Sequence, residues 1–295
     1  VLSGRPPGVV GLGMHRSGTS ALANLLGDLG LRLPLDQMEP NDDNPEGFGE
    51  SVAVEGFDDE LLAAAGASWH CAPAPEARAP LGDELLVAGR AAFRTAFGGP
   101  PSQPGWVLKD PRLTLLVPEW RQVLAGSGLN ALVLFRSPSL VLGSLASPRR
   151  AHTLLANPQL GLAIWERSYR QLLCDLTGAD KVLFTDFDAL LVDADYRASW
   201  AAQLAGFLEG VAPVSAERAR LALDARISAS KTTARSRPIE LSVPQRELYA
   251  RLSWAASSFA PTCQLPPSET RGTERLFAAH RSCPPDLDCE HLQGY

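Results

Sequence analysis

The chain is 295 residues long with a formal net charge of −6, and 45% of its side chains are hydrophobic, enough apolar material to fill the core of one large α/β domain. The acidic balance argues against a nucleic-acid-binding surface or a polybasic membrane patch, since both need clustered Lys and Arg to engage phosphates. No run approaches the ~18 consecutive apolar residues of a membrane span, and the first residues lack the order of a signal peptide, so a cytoplasmic protein is expected.

The stretch Val9–Ser20 (VVGLGMHRSGTS) is the first with a chemical meaning. Val9, Val10 and Leu12 read as a short buried strand, and Gly11, Gly13 and Gly18 punctuate a tight loop. From Thr19 the apolar residues fall at Leu22, Leu25, Leu26 and Leu29, one face of a helix, until Gly30 stops it. Strand, glycine loop and helix in that order gather backbone N–H groups and the positive end of a helix dipole at one point, a geometry that binds phosphate or another tetrahedral oxyanion. Gly13 and Gly18 have the spacing of a P-loop, but Thr19 stands where that motif needs Lys, and the cation comes earlier, at Arg16.

Residues 31–50 carry Pro34, Pro40 and Pro45 among Asn, Asp and Gly, which forbids a long helix and describes an exposed loop. Its carboxylates, Asp36, Glu39, Asp42, Asp43, Glu46 and Glu50, are candidates for acid–base work if the loop lies over the anion site, although most carboxylates in such a loop are simply solvated. Ser51 to Ala65 reads as a partly buried helix. Trp69-His70 follows, and His70 is either a base or substrate contact or a structural histidine. A helix is expected from about Asp83 to Phe97, then the turn GGPPSQPG.

Trp106, Val107 and Leu108 form a second short strand, and Lys109-Asp110-Pro111-Arg112 sits at its carboxyl end, where open α/β sheets place ligand contacts. Asp110 and Arg112 serve either catalysis or simply each other, as a pair that fixes the loop. Ala131 to Phe135 is a third strand, ended by Arg136, with Ser137-Pro138 opening a helix. Ser144 stands eight positions after Arg136, about two helical turns along, so its hydroxyl can reach a phosphate held by Arg136. Leu162, Trp165, Tyr169, Leu172, Leu173 and Leu176 mark a core helix. Lys181–Phe184 is a fourth strand, and helices are expected near 199–209, 215–226 and 244–257.

No internal repeat is evident. The five cysteines show no CxxC pair, so neither a zinc site nor a disulfide framework is indicated; Cys283 and Cys289 are close enough to pair in the tail, but free thiols are expected. Position 1 is not Met, which suggests a trimmed piece of a longer chain.

Four of these runs resemble, in order, segments of the sulfotransferases that use 3′-phosphoadenosine 5′-phosphosulfate (PAPS), the bacterial members above all. Arg16-Ser17-Gly18-Thr19-Ser20 is similar to the family's 5′-phosphosulfate loop, Asn44 to Glu50 (NPEGFGE) to its Asn-Pro-x-Gly-Tyr-Phe-Glu segment, Trp106 to Arg112 to its Trp-Lys-Asp-Pro-Arg run, and Arg136 with Ser144 to its 3′-phosphate-binding pair. The resemblance implies that His15, Arg16, Ser17, Gly18, Thr19, Ser20, Arg136 and Ser144 bind the donor. It implies that Arg16 and Lys109 offset charge around the transferred group. The cytosolic enzymes carry a catalytic His two residues after the strand-end Lys, whereas Pro111 stands here, so Glu50 is the first choice of base and Asp110 the second. Thr185-Asp186-Phe187 is similar to the family's Tyr-Glu-Asp segment, which puts Phe184 either near adenine or in the core, and Lys231 and Arg235 fall where the family has a basic loop.

The expected architecture is α/β, a single domain over residues 1–295 with a central parallel β-sheet flanked by helices. The motif-matched core spans about 9–188, and a helical region and tail occupy about 199–295. The implied reaction is sulfuryl transfer from PAPS to a hydroxyl, or less favourably an amine, of a small-molecule, natural-product or carbohydrate acceptor, with no metal. The alternatives are a P-loop kinase acting on a small molecule and a non-catalytic nucleotide-binding module.

Overall fold

The computed structural model describes residues 7–42, 44–71, 80–98, 105–125, 127–145, 157–177, 179, 181–229 and 239–258. Lys231, Arg235, Cys283, Cys289, Asp43 and the turn at 99–104 lie outside them. Four strands, β1 (Val9–Leu12), β2 (Val107–Lys109), β3 (Asn130–Phe135) and β4 (Lys181–Asp186), form one sheet in the order β2-β1-β3-β4. All three pairings are parallel, with Val9 opposite both Val107 and Asn130 and Phe135 opposite Asp186. The expected α/β architecture, a parallel sheet flanked by helices, is what the chain adopts.

Parallel strands are covered on both faces and therefore read as continuous apolar runs; β1 and β3 are buried at every position. Alternate side chains supply two separate cores. Val10, Leu12, Leu108, Val133, Phe135, Val182 and Phe184 pack on one face, under α2 (Val52–Ala64), α3 (Asp83–Phe97), α4 (Val117–Val123), α6 (Pro158–Asp175) and α10 (Val243–Ser258). Val9, Val107, Leu132, Leu134 and Leu183 pack on the other, under α1 (Thr19–Asp28), α7 (Phe187–Val192), α8 (Ala194–Phe207) and α9 (Ala216–Ala229). The short α5 (Pro138–Leu145) follows β3 and packs against α6.

Because β1 has β2 on one side and β3 on the other, the chain leaves the sheet in opposite directions from neighbouring strands, and a crevice opens at their carboxyl ends. The connection from α1 to α2 is more ordered than its prolines and glycines suggest. Arg32 extends the sheet edge by donating its N–H to Gly105 O and accepting from Val107 N–H. Asp36 then caps α2 from outside, its Oδ2 accepting from Ser51 Oγ at 2.8 Å and Ala53 N–H at 2.9 Å. That carboxylate is therefore structural, whereas Glu39, Asp42 and Glu46 are exposed.

On the inner face of α2, Asp58 is fully buried and accepts a hydrogen bond from Trp120 Nε1 at 2.6 Å. Burial, then the nearby Asp110 charge, pushes its carboxyl well above the ordinary range, against the hydrogen bond from Trp120. A group whose folded-state pKa is raised stabilises the fold fully below its unfolded value, and that contribution is lost as pH rises through the folded one. Asp58→Asn keeps an acceptor for Trp120 and removes the titration. We expect the melting temperature of the wild type to fall as pH rises above the ordinary carboxylate range in scanning calorimetry and that of the variant to fall less, crossing above wild type on the alkaline side.

Candidate functional site

The four parallel strands end on one edge, and each releases a segment with chemical potential: Gly13–Ser20 after β1, Asp110–Arg112 after β2, Arg136–Ser137 after β3 and Phe187–Asp188 after β4. Gly13 donates its N–H to Thr114 Oγ1 at 2.8 Å, which fastens the β1 loop to the 3-10 turn Pro111–Leu115. Arg16 sits in the left-handed region at φ +69°, a conformation that costs a non-glycine residue of order 1 kcal/mol or more. Gly18 at φ +91° tolerates no side chain, because a Cβ there falls 2.5 Å from the Phe187 ring. Gly18 also begins α1 without a side-chain cap, so the first-turn N–H groups face the crevice as the strand-loop-helix order predicts.

Ser17 is fully buried, and its hydroxyl lies 2.8 Å from the Tyr169 hydroxyl. Tyr169 donates to Leu134 O at 2.8 Å, so the proton between the two hydroxyls belongs to Ser17. Burial holds the Tyr169 phenol well above its ordinary range. Ser17 is thus committed to holding the loop against α6, while its neighbours Arg16 and Ser20 reach into the crevice. Arg16 Nε donates to Ser144 Oγ at 2.8 Å, closing a bridge between the β1 loop and α5.

Lys109 is the last residue of β2 and only 1% exposed. Its ammonium donates to Ser20 Oγ at 3.1 Å and Phe48 O at 3.3 Å, and forms an ion pair with Glu50, itself 6% exposed. Burial raises the Glu50 carboxyl to about 7, opposed by the Lys109 charge and assisted by that of Asp110. Gly49, at φ +66°, lies so close to α1 that a Cβ would stand 2.9 Å from Ala23 Cβ; the chain approaches Lys109 by pressing its backbone on the helix. Asp110 serves its own turn. Its Oδ1 caps Arg112 N–H at 2.7 Å and its Oδ2 pairs with Arg112 Nη1 at 3.2 Å, while Arg112 also binds Asp59 and Glu55.

Arg136 is held by Asp188, Nε to Oδ1 at 2.8 Å, and Asp188 Oδ2 accepts from Ser137 N–H at 2.8 Å. The guanidinium lies 5.7 Å from the centre of the Phe187 ring. Phe184, a candidate for contact with adenine, is buried among Val182 and Tyr169 in the core. Phe187, three residues later, is half-buried: with Ala21, Leu25, Leu191, Ile227 and Arg226 it lines an apolar crevice beside Gly18. Pattern reading missed Phe187, whose signal was its position as the first residue past the strand. His70 is buried beside Ser68 and edge-on to Trp69, with burial lowering its pKa. Trp69 in turn packs against the His15 ring, centroids 4.6 Å apart and planes tilted by 51°.

The structure thus gathers Arg16 with Ser144, and Lys109 with Ser20 and Glu50. Arg136 and Ser144, read as a pair from their spacing, are each held by a different partner. Among the described residues no group of three or more His, Cys, Asp or Glu is arranged to hold a metal ion, and no helix is long and apolar enough to cross a membrane. No protein-family model matches the chain, and no curated protein does. Among solved structures the chain is similar to the "Sulfotransferase Domain from the Curacin Biosynthetic Pathway", at 15% identity and a TM-score of 0.47, over 84% of this chain and 98% of that one.

The Ser17–Tyr169–Leu134 chain of hydrogen bonds gives a direct expectation. Tyr169→Phe leaves a buried hydroxyl and a buried carbonyl without their partner, and should cost about 1–3 kcal/mol in denaturant unfolding, with the loop loosened while the Arg16 side chain itself is untouched.

Proposed function

We propose that this site transfers a sulfuryl group from PAPS to the hydroxyl, or less favourably the amine, of a small-molecule, natural-product or carbohydrate acceptor. The observation that carries the reading is the convergence, at one sheet edge, of a glycine loop lacking the P-loop lysine with Arg16, Lys109 and Arg136, each brought from a different strand end. Two features fit the donor: the half-buried Phe187 ring offers a face on which a base can stack, and Arg136 beside it suits a phosphate. The donor supplies a sulfuryl group already activated on its 5′-phosphate.

His15 to Ser20 hold the 5′ end of the donor, with Thr19 and Ser20 hydroxyls and the first-turn N–H groups as donors. Arg136, with Ser144 at the far side of the loop, holds the 3′-phosphate. Arg16 and Lys109 offset the negative charge that grows on the leaving oxygen, preorganised help that is usually the largest catalytic contribution. Glu50 takes the proton from the acceptor hydroxyl. One of its oxygens binds Lys109, which leaves Oε2 for the acceptor. Asp110 positions Arg112 and the turn and is not the base.

A small-molecule kinase is the rival that the loop geometry invites. It needs a loop lysine on the phosphates and a carboxylate free to hold Mg²⁺; Thr19 occupies the first position, and the Asp110 carboxylate is engaged by Arg112. A non-catalytic nucleotide-binding module would have no use for a buried carboxyl whose pKa is raised into the working range of a base.

Isothermal calorimetry should give tighter binding of adenosine 3′,5′-bisphosphate than of ATP with Mg²⁺, and Arg136→Ala should abolish that preference. Tight Mg²⁺–ATP binding indifferent to the 3′-phosphate would overturn the donor assignment in favour of the kinase. For the base, turnover requires ionised Glu50, so kcat/KM should fall as pH drops below about 7. Glu50→Gln should lower kcat by about 10²–10⁴-fold with bisphosphate affinity preserved; turnover at the wild-type rate removes Glu50 from that role.

A further inference from the structure

The C-terminal third carries no segment that resembles the family's motifs, yet α9 sends one side chain between the end of α1, the 46–50 segment and the crevice beside Phe187. Arg226 Nε pairs with Asp28 Oδ2 at 2.6 Å, at the carboxyl end of α1, and its Nη1 pairs with Glu46 Oε2 at 3.1 Å. The same side chain forms part of the apolar crevice beside Phe187. Glu46 begins the five-residue segment that ends at Glu50, and that segment is fastened along its length. Asn24 Nδ2 donates to Glu46 O at 3.4 Å, Gly49 presses on Ala23, and Phe48 O and Glu50 both meet Lys109.

We infer that Arg226 is a positioning residue: it clamps the 46–50 segment, and through it Glu50, against α1, and it couples the crevice beside Phe187 to that segment. The inference rests on the sulfuryl-transfer reading for the identity of the reaction, but the clamp itself is a statement about this chain's geometry. Asp28 adds a negative charge to the end of α1 that already carries the negative pole of the helix dipole, and Glu46 adds another within reach. One guanidinium answers all three because its donors are fixed in a planar fork, whereas an ammonium is a single point charge. Arg226 is about one-quarter exposed and both carboxylates are more exposed than it is, so each pair alone is weak. Their effect is positional. Loss of the Glu46 contact frees the outer end of the segment, while Lys109 continues to hold its inner end. A base laid against Phe187 at the mouth of the crevice would also meet the Arg226 stem and reduce the freedom of its head, so donor binding and the placement of Glu50 reinforce each other.

The test uses the full chain and three variants, Arg226→Gln, Arg226→Lys and Glu46→Gln, with the double variant Arg226→Gln/Glu46→Gln. Hydrogen exchange followed by mass spectrometry reads the clamp without any turnover. Peptides spanning 44–52 should exchange about 3–10-fold faster in Arg226→Gln and Glu46→Gln, with Arg226→Lys intermediate and the double variant no faster than the worse single one, as expected when two residues act through one contact. Adenosine 3′,5′-bisphosphate should slow exchange of these peptides in the wild type and slow it less in Arg226→Gln. In turnover the two single Gln variants should lower kcat by a similar factor of about 3–10 with the acceptor KM little changed, and the acid limb of the pH profile should shift, a change a merely structural role would not produce. Unchanged exchange over 44–52 in Arg226→Gln, or additive effects in the double variant, overturns the clamp. If the bisphosphate fails to bind the wild type, the sulfuryl-transfer reading falls, and the exchange comparison without nucleotide still decides whether Arg226 holds the segment.

Discussion

A lysine that exposes 1% of its surface has given up its water and must find protein partners for its ammonium donors. Lys109 finds them in three places: Ser20 in the first turn of α1, the Phe48 carbonyl and the Glu50 carboxylate. The β1 loop, the 31–50 connection and the end of β2 therefore meet at one ammonium. Because the Glu50 backbone carbonyl accepts from Met38 N–H and Ser51 caps α2 with help from Asp36, that meeting also fixes where α2 starts. Removing the Glu50 carboxylate leaves the buried ammonium without a counter-charge, a loss larger than that of a surface ion pair.

The sheet was legible because its strands are buried on both faces. Val9–Leu12, Ala131–Phe135 and Val182–Phe184 appear in the sequence as short apolar runs, and the helices beginning at Thr19 and Asp83 show a clear three-and-four spacing. The 3-10 turn Pro111–Leu115, α4 and α7 were not legible, since five to seven residues are too few to show a helical period. The helix expected from 199 begins at Ala194. Its signal was Asp193, whose carboxylate caps Asp195 and Tyr196 N–H.

Within the site, composition at strand ends was readable and partnership was not. Arg16, Lys109 and Arg136 stand out as charges at the ends of buried strands, but the atoms that hold them lie 128, 59 and 52 positions away in the chain, at Ser144, Glu50 and Asp188. Helical spacing suggested that Arg136 and Ser144 share a ligand, and no local pattern announces that Arg16 reaches Ser144 first. Asp36 looked like one acid among several in a polar loop; its role as a cap depends on the chain doubling back, which brings Gln37 opposite Ser51. Phe184 and Phe187 differ only in register. Strand alternation turns Phe184 into the core with Val182, and Phe187, just past the strand, is free of that alternation and turns to Gly18.

The acid cluster under α2 bears on Glu50, the proposed base, as well as on the cohesion of the fold. Asp110, Glu55 and Asp59 pair with the single guanidinium of Arg112, and the fully buried Asp58 lies near enough to feel its charge and that of Asp110. Four carboxyl groups exceed the charge that one arginine can neutralise, so the excess is felt in the protonation of Asp58 and Glu55, both raised chiefly by burial. It is felt again at Glu50, where burial comes first and Asp110 acts in the same direction, against Lys109. A carboxyl paired with a lysine ordinarily falls below its reference pKa and becomes a poor base. Here burial and the neighbouring aspartate outweigh the lysine, so one side chain can both anchor a buried cation and accept a proton near neutral pH.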